Sequence, residues 1–136
     1  MADISKILDV SSSGMHAQSE RMRVIAENLA NANSTAEAPG GEPYRRKIVM
    51  FRSVLDRALG IERVEVDGIE GDKRPFNHRY DPGHPAADAS GYVLTPNVNS
   101  LIEMVDMREA QRSYEANLGM ITVAKDMLRR TIDLLQ

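Results

Sequence analysis

The chain has no cysteine among its 136 residues. That removes disulfides, thiolate metal sites and cysteine nucleophiles together. There is no tryptophan, and only 2 Phe and 4 Tyr. A compact monomer of this length normally fills its interior with more aromatic surface. No run of about 18 apolar residues occurs, so no membrane span is expected. No basic segment followed by an apolar core opens the chain, so no cleavable secretory signal is expected either. The formal charge is −3, its signs are mixed along the chain and there is no basic patch. Nucleic acid is therefore not an expected partner. A Gly-rich phosphate loop, a Gly-x-Ser-x-Gly elbow and a His-Glu-x-x-His motif are all missing, and with them the common signatures of catalysis.

What the chain does have is concentrated at its ends. Ile4, Leu8, Ser11, Met15, Gln18, Met22, Ile25, Leu29 and Ala32 alternate steps of four and three. This heptad spacing predicts a helix over residues 4–32 with one seam. Ser11-Ser12-Ser13-Gly14 is its weak stretch. Met104, Met107, Gln111, Tyr114, Leu118, Ile121, Lys125, Leu128, Ile132 and Leu135 predict a second helix over 101–135, about 50 Å long at 1.5 Å per residue. Ala110, Ala124, Met127 and Leu134 widen that stripe beyond a two-stranded seam, which implies more than one neighbour. The 8 Met residues sit mostly on these stripes, where a flexible thioether adapts to irregular surfaces. Pro96 and a Ser100-Leu101-Ile102-Glu103 capping box mark the start of the second helix. Asn31-Ala32-Asn33-Ser34 and Pro39-Gly40-Gly41 end the first.

Between the helices the pattern is short and mixed. Residues 44–51 read as a strand with a basic start. Val54, Leu55, Ala58 and Leu59 have helical spacing. Residues 61–66 alternate as a strand, Gly68 and Gly71 read as turns, and residues 91–94 form a short strand before Pro96. Asp81-Pro82-Gly83 is a turn signal. His78, Asp81, His84 and Asp88 are candidate metal ligands by type, but a Pro- and Gly-rich loop does not gather helically spaced residues, so no metal and no cofactor is expected. His16 lies beside the first seam with no catalytic partner.

The expected fold is mainly α with a small β part. Long N- and C-terminal helices pack as an antiparallel, coiled-coil-like pair around a small, irregular, β-rich middle. Residues 1–34, 35–99 and 100–136 are the expected divisions. In this arrangement Met22, Ile25 and Leu29 lie near Met104, Met107 and Gln111. A chain built this way is expected to assemble with copies of itself or its relatives. A soluble adaptor or chaperone-like partner of another coiled-coil protein is the alternative, and a metalloenzyme resting on residues 78–88 is the weakest reading.

Two segments then carry a resemblance. Ile25-Ala26-Glu27-Asn28-Leu29-Ala30-Asn31-Ala32-Asn33-Ser34 resembles the N-terminal signature of the bacterial flagellar rod and hook axial proteins. Glu103-Met104-Val105-Asp106-Met107, with Ala110 and Arg112-Ser113-Tyr114-Glu115-Ala116-Asn117-Leu118, resembles their C-terminal signature. Pro82-Gly83-His84-Pro85, Gly91-Tyr92-Val93, Pro96-Asn97-Val98-Asn99 and Tyr44-Arg45-Arg46-Lys47 are similar to the proximal-rod branch of that family. The resemblance implies a non-enzymatic structural subunit of the basal-body proximal rod, exported through the flagellar type III apparatus without a cleaved signal. It implies a periplasm-spanning helical tube that surrounds the export channel and transmits torque to the distal rod and hook. Its implied partners are copies of itself, other proximal and distal rod proteins, and rotor-ring and export-gate components. The implied assembly interface comprises Met22, Ile25, Asn28, Leu29, Asn31 and Asn33 from the first helix. From the second it takes Met104, Met107, Arg112, Tyr114, Leu118, Ile121 and Leu128. For the three asparagines the alternatives are helix termination and binding to backbone groups of a neighbouring subunit. For Arg112 they are a solvated charge and an intersubunit ion pair.

Overall fold

Helix α1 (Ala2–Ala30) runs without a break through the Ser-Gly stretch. Ser13 returns its hydroxyl to the Val10 carbonyl at 2.8 Å, so the low propensity of this segment is overridden by context. The helix ends as its asparagines predict. The Asn31 side chain donates to the Glu27 carbonyl at 2.9 Å, and Ser34 donates to Asn31 Oδ1 at 3.1 Å. The chain is described here by a computed structural model over residues 2–136. Helix α1 is followed by strands β1 (Lys47–Asp56), β2 (Ile61–Gly71), β3 (Asn77–Tyr80) and β4 (Tyr92–Thr95), then by helix α2 (Ser100–Leu134). β1 pairs with β2, and β3 with β4. No helix among the described residues is long and apolar enough to cross a membrane.

Four local expectations need correction. Val54 and Leu55 belong to β1, and no helix forms at Ala58 and Leu59. The Asp56 carboxylate instead accepts the Ala58 and Leu59 amides at 3.0 and 3.2 Å, and Gly60 closes the turn at φ 66°. A short apolar run fits either period, and the Asx turn decides it. Gly68 and Gly71 lie inside β2 rather than in turns. At Gly71 an added Cβ would come within 3.1 Å of Arg45 Cδ, so this glycine serves close approach. β3 was hidden in what reads as loop, because all four of its residues are exposed and none advertises a buried face. Its antiparallel register places His78 opposite Leu94 and Tyr80 opposite Tyr92. Finally, Asn99 caps α2 in place of Ser100. Asn99 Oδ1 accepts the Leu101 and Ile102 amides at 3.1 and 3.4 Å. Glu103 does not reach back as a capping box requires, because it is buried elsewhere.

The chain divides into two units. The first comprises Met1–Met22, Val49–Gly68 and Arg108–Gln136, and the second Arg23–Ile48 and Ile69–Met107. In the first, the buried side chains are small: Ser11, Ala17, Ala110 and Ala124. Gly14 lies against Asn117, where a Cβ would stand 2.8 Å from Asn117 Nδ2. Arg21 reaches Glu109 at 3.6 Å, and Arg63 of β2 bridges Asp9 and Asp56 at 3.4 and 3.1 Å.

In the second unit the core combines Val24, Ile25, Val93 and Val98 with Asn28, Asp72, Asn97 and Glu103. So many buried polar groups are unusual and require internal partners. The β3–β4 hairpin closes on Gly91 at φ 84°. A Cβ there would meet Tyr80 Cε2 at 2.9 Å and Pro82 Cβ at 3.2 Å, so both backbone and packing demand glycine at this position.

Candidate functional site

The second unit is organised around two consecutive residues, Arg46 and Lys47. Asn28, from α1, treats the Lys47 backbone as a strand partner would. Its Nδ2 donates to the Lys47 carbonyl at 2.9 Å, and its Oδ1 accepts the Lys47 amide at 2.9 Å. The Tyr44 hydroxyl donates to the same Oδ1 at 2.8 Å. Burial, with the charges of Glu27 and Glu103, raises the Tyr44 pKa, so the hydroxyl remains a donor. On the other side Asn97 Oδ1 accepts the Arg46 amide at 2.8 Å. Asn97 Nδ2 donates to the carbonyls of Asp72 and Arg74 at 3.1 and 3.0 Å. Two asparagine amides thus hold the chain where it enters β1.

The Arg46 side chain fills the space between them. It donates through Nε to Glu103 and approaches Asp72 at 3.2 Å and Asp106 at 3.7 Å. Glu103 is only 1% exposed. Burial opposes the Arg46 charge, but hydrogen bonds from its guanidinium to Glu103 and Asp72 outweigh it and raise its pKa. Hydrogen bonds from the Arg74 side chain hold the Asp72 carboxyl well below the usual carboxylate range against the opposing push of burial, and the Arg74 amide and Arg46 side chain add to them. A group depressed in this way stabilises the fold above its ordinary pKa, and that contribution is lost as pH falls toward its folded value. We therefore expect the purified chain to lose stability to urea progressively below about pH 4. Asp72→Asn should flatten this acid limb. An unchanged slope in the variant would remove Asp72 from the account.

The predicted interface residues fall into two groups. Ile25 and Asn28 are buried, and Met22, Leu29, Asn31, Met107, Tyr114, Ile121 and Leu128 are half-buried, whereas Asn33, Met104, Arg112 and Leu118 are exposed. The face of α2 that is covered within the chain carries Glu103, Met107, Ala110, Tyr114, Asn117, Ile121, Ala124 and Leu128. It keeps the heptad step but is turned by about one residue from the face of Met104, Gln111 and Leu118. The expected seam shares Met107, Tyr114, Ile121 and Leu128 with this face and misses Glu103 and Asn117, because small and polar side chains also make close contacts. On the opposite side of α2, Ala116, Met120, Val123, Met127 and Leu134 form an outer stripe. Met120 is 48% and Val123 53% exposed. Its steps of four, three, four and seven could have revealed it as a second stripe.

The candidate metal ligands are engaged differently. His84 Nδ1 accepts the Ala86 amide at 3.0 Å, and its Nε2 lies 3.2 Å from the Thr35 hydroxyl. Asp88 accepts the Ser90 and Tyr92 amides at 2.9 and 3.0 Å. Among the described residues no three His, Cys, Asp or Glu side chains are grouped to hold a metal. The contacts that these side chains make are packing and anchoring contacts.

Comparison with known proteins agrees with this emphasis. Residues 8–37 match a family model described as flagella basal body rod protein. Residues 89–134 match one described as flagellar basal body rod FlgEFG protein C-terminal. The flagellar basal-body rod protein FlgC of Agrobacterium fabrum is 52% identical over 136 residues, covering 100% of this chain and 98% of the relative. The FlgC proteins of Borreliella burgdorferi and Salmonella typhimurium are each 41% identical, covering 95% and 94% of this chain and 95% of each relative. Identity at this level over nearly the whole length of both chains, with both terminal signatures matched, places the protein in the FlgC family of flagellar basal-body rod proteins, as a structural subunit of the rod.

Proposed function

We propose that the chain builds the proximal rod by packing, with no catalytic step. Residues 1–34 and 100–136 form an inner axial layer around the export channel, and residues 35–99 an outer region. The helices act as an antiparallel, coiled-coil-like pair. Contacts in the first unit support that pairing: moving up α1 from Gly14 to Arg21 corresponds to moving back along α2 from Asn117 to Glu109. In the second unit Asn28 meets Glu103 at 3.5 Å. The observation that carries the reading is the outer stripe of α2, which is large, apolar, heptad-spaced and exposed. Surfaces of this kind mark association sites.

In this reading copies of the chain associate with one another and with other rod components, between the rotor ring and export gate on one side and the distal rod on the other. The assembled tube spans the periplasm and transmits torque. Subunits reach it through the flagellar export route. Asn28 and Asn31 serve their own chain, through Lys47 and Glu27, and so prepare the surface that neighbours meet. Met22, Leu29, Asn33, Met104, Arg112 and Leu118 contribute directly to intersubunit contact. Deleting the encoding gene should leave basal bodies without rod, hook or filament, and an intact copy should restore them. Rods and swimming that persist without the chain would refute the proposal.

A further inference from the structure

We propose that the free face of the β1–β2 hairpin docks on the outer stripe of α2 in a second copy of this chain; the inference rests on the rod-subunit reading. Side chains alternate along a strand. Arg52 pairs with Glu65 and Asp67 across the hairpin, and Arg63 pairs with Asp56 and with Asp9 of α1. Those residues share one face; its turn end, at Arg63 and Asp56, is turned toward α1 within the first unit, while Arg52 and Asp67 farther along are 57% and 55% exposed. The opposite face carries Phe51, Leu55, Val64 and Val66. Leu55 is 57% exposed, and Phe51 and Val64 are also exposed. A half-solvated sheet normally presents its apolar face to the core and its charges to water. Here the Arg63–Asp56 end of the charged face is the inner one, and a two-stranded hairpin is marginal by itself in water. The exposed apolar face needs cover.

The same unit holds the uncovered counterpart. Met120, Val123, Met127 and Leu134 of α2 are all exposed. Charge selects between this stripe and other surfaces. Between Val49 and Gly68 this hairpin face carries one ionised side chain, Glu62, which accepts the Ser53 hydroxyl at 3.3 Å. On the stripe side of α2 lie Arg112 and Arg130, and the acid on that side, Glu109, is engaged by Arg21. The lengths also agree. The seven residues of strand from Val49 to Leu55 span about 20 Å, within the stripe's about 27 Å from Ala116 to Leu134. The two surfaces differ, so the contact is heterologous. Such a contact propagates from copy to copy around a helical array instead of closing a two-fold dimer.

The absence of native cysteine makes introduced thiols unambiguous. Phe51→Cys and Val123→Cys variants would be co-expressed in cells lacking the native gene. Isolated basal bodies would be treated with a short bis-maleimide and resolved on a denaturing gel. A cross-linked dimer in the mixture, absent from either variant alone, is expected. A Leu55→Cys and Met127→Cys mixture should behave likewise. Basal bodies that contain both variants of either mixture without a dimer would overturn the contact while leaving the rod reading intact. So would a dimer formed equally by one variant alone, or a cross-link to a different protein. Basal bodies that lack a chain the cells still produce would overturn both.

Discussion

Replacing Arg46 with methionine is expected to cost the second unit about 3–5 kcal/mol, the usual penalty for removing one partner from a buried charge pair. Methionine retains much of the apolar stem but leaves the Glu103 carboxyl without its guanidinium partner in a site that is 1% exposed. It also takes one cation from Asp72 and Asp106. Urea denaturation of the purified chain would measure the loss. In cells the variant should assemble few rods, because a repeated subunit suffers the loss in every copy. The double variant Arg46→Met, Glu103→Met should recover much of the stability, since an apolar pair of similar volume tolerates burial better than a lone carboxylate. If Arg46→Met shifts the midpoint no more than an exposed arginine does, the anchor is not structural.

Ile121→Asp should have the second large effect, and on assembly. Ile121 lies half-buried at the centre of the covered face of α2, between Asn117 and Ala124. An unpaired carboxylate in a closed apolar interface costs several kcal/mol. Motility on soft agar should be abolished. His78→Ala and His84→Ala together should leave it largely intact. His78 is exposed on β3, and the His84 bonds to Ala86 and Thr35 are single hydrogen bonds worth about 1 kcal/mol each. Cells that swim with Ile121→Asp and stop without the two histidines would reverse the conclusion that packing is the function.

The two long helices were legible because a heptad repeat over many turns has few competing explanations. Their ends fell within two residues of expectation. The family was legible too, through the segments around Asn28 and Tyr114. The covered face of α2 was legible in part: Met107, Tyr114, Ile121 and Leu128 lie on the expected stripe and Ala110 and Ala124 on its widened edge, whereas Glu103 and Asn117 do not. A count of large apolar residues selects Met104 and Leu118, whereas close helix approach selects Gly14, Ala17, Ala110 and Ala124, which apolar periodicity barely weighs. For Asn28 the sequence offers helix termination or backbone groups of a neighbouring subunit, whereas its amide binds the Lys47 backbone of its own chain. No local pattern reports a partner 19 residues away. The Arg46–Glu103 pair was missed for the same reason. Its acid stood where a capping box would place it, and the cap was taken instead by Asn99.

A cryo-electron microscopy map of the isolated basal body, with this chain traced in the rod, tests the central claim most directly. The account predicts that Met120, Val123 and Met127 lie beneath neighbouring subunits, while Asn28 keeps its own Lys47 and Arg46 its own Glu103. A rod in which that stripe of α2 faces water, with the subunits held through other surfaces, would contradict it.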